Sequence, residues 1–346
     1  MLHSKAMRHK ITPYLSLLVL VCTTSCRELF DYLDDVKPFK PQVTVFATGL
    51  TAPLGIESDT KGQLWITEAG TGFSNDGQLS LITPQGKVYP AVTGFPSSVS
   101  PEGGVFGLNH LVLQGNTLWL LHGVEGKLYK FDISSFRPGD APLQASELEQ
   151  EDIGTFVKDY AFEHETGESD VFNLTVGPEG DLFIVDAGAN AIIRRQATTG
   201  KLSIFTTIPP VANPGGDPVQ VEAVPTGIVF DGYKFLVCSF TGYPFPARQA
   251  PIYQVDLTGN ISVYQTGLSS LADIDLGIDK KPLVVEYGTW AGEAFAQNSG
   301  SIVQATAQKN TYLVTGLNFP NSIERTGPRT CYVAQTFDGI IQKVNF

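Results

Sequence analysis

At 346 residues and 42% hydrophobic content, the chain can bury a large core, as one big all-β domain or as two ordinary ones. Thirty-five glycines and 22 prolines against 17% charged residues imply many turns and few long surface helices. A net charge of −12 makes nucleic acid a poor partner.

The N-terminus reads as a targeting segment. Lys5, Arg8 and Lys10 precede an apolar run from Ile11 to Cys22, which is too short to span a membrane stably. Small residues, TTSC, follow and end at Cys26. The pattern resembles a bacterial lipoprotein signal, in which Cys26 is lipidated and becomes the new N-terminus. Thr23 stands where that pattern usually has Leu. The alternative is an ordinary secretory signal cut near Ser25. Residues 1–26 are therefore assigned to export, 27–41 to a linker and 42–346 to a folded domain. The expected location is the bacterial cell envelope, with the membrane touched only through the lipid.

From residue 42 onward one pattern recurs six times: an apolar strand, a turn, a second apolar strand, then a polar residue. The second strands end at Glu68, His122, Asp186, Ser239, Glu286 and Gln335. These ends lie 54, 64, 53, 47 and 49 residues apart, a spacing a sandwich does not require. A third strand follows each, as in GQLSLIT or GSIVQAT, and then a fourth, as in GKLSIFTTI or NTYLVTGL. Four strands, six times, predict an all-β, six-bladed propeller of antiparallel blades. The last unit lacks a fourth strand of its own. The stretch QVTVFATGL, residues 42–50, carries the same TGL ending as other fourth strands, so it is expected to complete the last blade and close the ring.

One unit is stretched. Around residues 140–170 lies an acidic piece in which Leu148, Phe156 and Tyr160 suggest a short helix or two beneath a solvated charged face. The fourth strand of blade 2 has no evident sequence here. Cys238 and Cys331 fall in apolar strands of separate blades, which predicts buried free thiols.

In a propeller the first strand of each blade lines the central channel, and the second strand returns to the face where the first began. Counting back 13 or 14 residues from each polar end pairs Glu68 with Gly55, His122 with Asn109 and Asp186 with Asn173. The same count pairs Ser239 with Thr226, Glu286 with Asp273 and Gln335 with Asn321. Eleven of these twelve positions are polar, so a polar collar is expected at the channel mouth. Strands must stop where solvent begins, which accounts for Ser239, Thr226 and Gln335. It accounts less well for Asp273 opposite Glu286, since like charges across a strand pair destabilise it. Carboxylates and amides converging there suit a hard cation, Ca²⁺ or Mg²⁺, with Glu68, Asn173, Asp273 and Glu286 as candidate ligands. His110 and His122 are more simply structural donors.

The loops after the second strands of blades 1, 4 and 5 are long and aromatic. They carry Phe73, Tyr243, Phe245, Trp290 and Phe295, with Arg248 among them. An acidic floor with aromatic walls is a candidate pocket for a small polar or cationic ligand; mutual packing that stiffens the loops is the plainer account.

Three stretches, Thr48–Gly70, NLTVGPEGDLFIVDAGANAIIR and Val224–Asp256 with its TGYPFPA, resemble the ScyD/ScyE family, named from a cyanobacterial pigment cluster. The resemblance covers nearly everything from about residue 42 onward and implies an NHL-like six-bladed propeller without an assigned activity. The layout is similar, more distantly, to the metal-dependent propeller lactonases and strictosidine-synthase-like propellers. These hold a divalent metal at the channel mouth with carboxylate and Asn ligands. No motif fixes that correspondence residue by residue.

Two functional expectations follow. One is a binding propeller that holds a small molecule, glycan or protein segment at its mouth. The other is a metal-assisted hydrolase or lyase acting on a small ester, lactone or sugar derivative. The sequence contains no Gly-x-Ser-x-Gly elbow, paired-Cys motif or phosphate loop, and this favours the binding propeller.

Overall fold

The computed structural model describes residues 40–100, 104–123, 125–164, 166–277 and 280–346. The expected signal, Cys26 and most of the linker lie outside the described residues. The remainder forms six four-stranded antiparallel blades.

The innermost strands are Pro53–Ser58, Leu108–Gln114, Val171–Val176, Pro225–Phe230, Leu271–Leu276 and Pro320–Gly327. The second strands are Leu64–Glu68, Thr117–His122, Leu182–Asp186, Phe235–Ser239, Pro282–Glu286 and Thr330–Gln335. Each second strand is sandwiched between neighbouring blades, so both its faces are buried. This explains why it reads as a continuous apolar run rather than an alternating one. The core accordingly lies between blades. Between blades 1 and 2, for example, Trp65, Leu79 and Phe95 pack against Leu108, Leu118 and Phe131. Full burial of each such side chain contributes about 1.5–3 kcal/mol. Cys238 and Cys331 are buried and free.

Gln42–Thr48 pairs antiparallel with Ile340–Asn345, and the last sheet runs 42–48, 340–345, 330–335, 320–327. The ring is thus closed by the N-terminal strand, which removes two open sheet edges at once.

The stretched unit differs from its expected form. Glu149–Asp152 is the missing fourth strand of blade 2 and pairs with Lys127–Lys130. Leu143–Gln144 adds a short parallel strand to the edge of blade 1. Among the described residues of this unit, helix is confined to a turn at Ala145–Glu147 and to Gly154–Lys158, which buries Val157. The acidic run is therefore a sheet edge, and its charges are used. Glu151 takes both Nε and an Nη of Arg195, at 2.5 and 2.7 Å, from blade 3. Glu149 meets Lys130 at 3.2 Å. Among the described residues no helix is long and apolar enough to cross a membrane.

Candidate functional site

All six polar strand ends lie at one face, but not opposite the expected partners. Glu68 faces Pro53, His122 faces Leu108, Asp186 faces Val171 and Ser239 faces Pro225. Glu286 faces Leu271 and Gln335 faces Pro320. Every inner strand carries a register shift just below this pairing. The extra residue tilts the strand and carries the expected partners down into the channel. Asp273 therefore faces Val285 and Asn173 faces Val185, and the like-charged pair Asp273–Glu286 does not form.

The carboxylates at the strand ends are committed to their own blades. Glu68 accepts Thr51 N–H at 2.5 Å, Ser80 Oγ at 2.5 Å and Gln78 Nε2 at 2.8 Å. Asp186 accepts Ser169 Oγ at 2.6 Å and the amides of Asp170 and Ala189 at 2.8 and 2.9 Å. Glu286 accepts Ser269 N–H at 3.0 Å and Ser301 Oγ at 2.7 Å. Each of the three thereby clamps the loop that enters its own inner strand. Burial raises the carboxyls of Glu68 and Asp186 above their ordinary values, against these hydrogen bonds.

Other collar residues bind blade to blade. Thr67 Oγ1 accepts Gly55 N–H and donates to Asn109 O, joining blades 1 and 2. A Cβ at Gly55 would stand 2.9 Å from that Oγ1 and from His110 Cα, so only glycine allows the approach. Asn109 Nδ2 donates to Asp170 Oδ1 and Val171 O, each at 3.0 Å, joining blades 2 and 3. Asn190 joins blades 3 and 4, and Thr226 Oγ1 donates to Leu271 O at 2.6 Å between blades 4 and 5. Thr336 Oγ1 donates to Pro53 O at 2.9 Å between blades 6 and 1. His122 Nε2 meets Pro96 O at 2.9 Å, and burial pushes its imidazole pKa down. Asn321 lies half-buried between Pro320 and Ser322.

Beneath the collar, the tilted strands enclose a channel cavity of about 100 Å³, lined among others by Glu57, His110, Asn173, Asp273, Asp275 and Glu324. Asp273 Oδ1 accepts Asn173 Nδ2 at 2.9 Å. Its Oδ2 accepts Ser322 Oγ at 2.9 Å and Ile323 N–H at 3.0 Å. Asp275 accepts Arg325 N–H at 2.8 Å, and Glu324 accepts Ser58 N–H at 3.1 Å. Burial raises these acids: Asp273 to about 7, Asp275 to about 6 and Glu324 to about 8. Glu57 rises as well, by burial first and then by the charge of Glu324. His110 Nδ1 lies 3.9 Å from Asp273 Oδ2, and burial lowers its pKa to about 3. His110 Nε2 has no hydrogen-bond partner among the described residues. Glu57, Asp275 and Glu324 escaped the sequence reading. Glu57 and Asp275 lie two residues past the channel positions Gly55 and Asp273, and strand alternation holds that signal; Glu324 lies three past Asn321, and alternation from there misses it.

Of the four candidate metal ligands, only Asn173 and Asp273 meet. Glu68 and Glu286 spend their oxygens within blades 1 and 5, so this set does not fit one cation. Among the described residues no three His, Cys, Asp or Glu side chains are grouped to hold a metal.

The aromatic loops do come together. Phe240, Tyr243 and Phe245 of blade 4 meet Tyr287, Trp290 and Phe295 of blade 5, with centroids 4.9 Å apart for Phe245–Trp290 and 5.5 Å for Phe240–Tyr287. Tyr287–Phe319 at 5.3 Å and Phe319–Phe337 at 5.1 Å carry the series to blade 6. Most contacts are edge-to-face, the geometry ring quadrupoles favour. The rings do stiffen the loops, yet Tyr243 stays 70% and Phe337 62% exposed. Arg248 is exposed, and its guanidinium makes no hydrogen bond or ion pair among the described residues. Phe73 stands apart, 87% exposed.

No protein-family model and no curated protein matches the sequence. Solved structures do. Virginiamycin B lyase from Staphylococcus aureus is 16% identical over 89% of this chain and 100% of its own, with a TM-score of 0.53. A putative gluconolactonase is 13% identical over 90% and 94%, at 0.55. The PQQ-bound aldose sugar dehydrogenase from Streptomyces coelicolor is 12% identical over 89% and 99%, at 0.57. At such identities the likeness carries the propeller fold and not the chemistry.

Proposed function

We propose that the protein is an exported, ScyD/ScyE-like binding propeller that takes a small molecule, glycan or protein segment on the aromatic shelf of blades 4–6. One observation carries this reading: eight rings from three blades form a continuous series whose members Tyr243 and Phe337 stay open to solvent. Exposed aromatic surface held rigidly by its neighbours is what a ring-bearing ligand stacks on at low entropic cost. The channel cavity is too small to compete. Its 100 Å³ falls well below the roughly 300–1,000 Å³ of small-molecule sites.

Tryptophan fluorescence tests it. Of the three tryptophans, Trp65 and Trp119 are buried and Trp290 belongs to the shelf. Titration with aromatic acids, aromatic amines and oligosaccharides should give a saturable change with one class, lost in Tyr243→Ala. No change with any class, or binding that survives both Tyr243→Ala and Phe245→Ala, sinks the reading. Export rests on the N-terminal pattern: Cys26→Ala should move the protein from the membrane fraction to the soluble one.

A second reading, an acid–base lyase or hydrolase, draws on His110. This neutral buried imidazole faces Asp273 and keeps one nitrogen unpartnered. Such an enzyme works without Glu68 and Glu286. Turnover of a lactone or ester panel that disappears in His110→Gln, with melting temperature unchanged, would favour it.

A further inference from the structure

Away from the channel, a second cavity of about 470 Å³ opens between the outer parts of blades 3 and 4. This one is large enough for a small organic molecule. Phe162 and Glu163 reach it from the stretched unit, Asn190 and Ile208 from blade 3, and Glu222 from the segment entering blade 4. Pro209 and Pro210 form a stiff apolar wall.

The polar part is built rather than incidental. Asn190 is buried and holds a left-handed backbone, φ 51°. Its carbonyl accepts Ile208 N–H at 2.7 Å and its Oδ1 accepts Val224 N–H at 2.8 Å. So anchored, its Nδ2 donates to Glu222 Oε2 at 2.6 Å and fixes that carboxylate at the cavity. The aromatic part is fixed too. The Phe162 ring lies 4.8 Å from Tyr160, which packs 6.4 Å from Phe156.

The charge is uncompensated. Glu163 and Glu222 line the cavity, no Lys or Arg does, and neither carboxylate makes an ion pair among the described residues. Among the described residues, His164 is the one other titratable group on the lining. A fixed carboxylate and a second, exposed one beside an aromatic ring and a proline wall attract a cation that is partly apolar. We propose that this cavity binds a small organic cation, an amine or quaternary ammonium. The site is separate from the aromatic shelf and does not depend on it.

Calorimetric titration of the purified protein with choline, tetramethylammonium and putrescine tests the proposal, with 3,3-dimethylbutan-1-ol as the uncharged isostere of choline. At least one cation should bind saturably, and more weakly as salt is raised. The isostere should bind at least about tenfold more weakly than choline. Glu222→Gln and Phe162→Leu should each weaken the cation about fivefold, as loss of one charge or one ring face implies. Tyr243→Ala should leave it unchanged, which separates this cavity from the shelf. If Glu222→Gln lowers the melting temperature, Glu163→Gln serves in its place, since that side chain makes no hydrogen bond among the described residues, whereas Glu222 holds Asn190. Three results each overturn the proposal: no saturable binding of any of the three cations up to about 10 mM, tenfold weaker than millimolar affinity; an isostere that binds as well as choline; or cation affinity unmoved by the Glu and Phe162 substitutions.

Discussion

Asn173 Nδ2 donates to Asp273 Oδ1 at 2.9 Å, although the two residues stand 100 positions apart. The bond spans from blade 3 to blade 5, past Gly227 of blade 4. Gly227 packs closely against blade 5, where a Cβ would stand 2.9 Å from Ile274 N. With Ser322 and Ile323 on its other oxygen, Asp273 ties three blades to one carboxyl.

Asp273→Ala should therefore cost roughly 3 kcal/mol or more, because it leaves buried donors on Asn173, Ser322 and Ile323 unpaired. Asn173→Ala strands one acceptor position and should cost about 1–2 kcal/mol. Urea unfolding followed by far-UV circular dichroism measures both. An Asp273→Ala loss below that of Asn173→Ala would show that the carboxyl is not the hub.

Stability should fall as pH rises from about 4 to about 8. Asp275, Asp273 and Glu324 titrate there in the folded protein, at about 6, 7 and 8, because burial disfavours their charged forms. Unfolded carboxyls titrate near 4. Their folded values are raised, so this contribution is fully present below the unfolded value and is lost as pH climbs through the folded ones. The urea midpoint should decline from about pH 4.5 to 8, and Glu324→Gln should flatten that decline. A midpoint that rises over this interval contradicts the assignment.

A bidentate pair adds to the Asn109 bonds and the apolar packing between blades 2 and 3. Glu151 holds Arg195, whose side chain is only 7% exposed. Glu151→Ala leaves that guanidinium buried without its counter-charge and should cost about 2–4 kcal/mol. Arg195→Met, which keeps the packing against Trp119, should cost less. Chemical denaturation of both variants checks the order. Equal losses would assign the effect to packing alone.

Removing residues 40–48 should expose the edge of Ile340–Asn345 and open the ring. An unpaired edge recruits other strands, so the truncated chain should aggregate or dimerise on size-exclusion chromatography while the full-length chain does not. A truncated chain that stays monomeric and melts normally would mean that the Gln42–Thr48 strand is dispensable.

Six blades, their strand order and the closing strand were legible in the sequence, because each depends on local pattern. Buried runs such as Leu182–Asp186 and the TGL endings repeat with a period any folded neighbour must respect. Blade 2 lost its fourth strand to that reading because Glu149–Asp152 is charged. An edge strand tolerates charge when Lys130 and Arg195 lie alongside, and those partners come from other strands. The strand-end residues were legible as polar positions, but the partners that each of them bonds were not, because those come from loops and neighbouring blades.

The amino-acid order alone determined the propeller, since alternation and turn chemistry act within a few residues of each strand. Only the closed ring decided what the acids do. One extra residue in each inner strand moved Asp273 away from Glu286 and toward Asn173, His110 and Ser322, and no strand pattern records that shift. Partners separated by 50 to 100 positions meet only after the ring has formed, so their chemistry belongs to the tertiary structure.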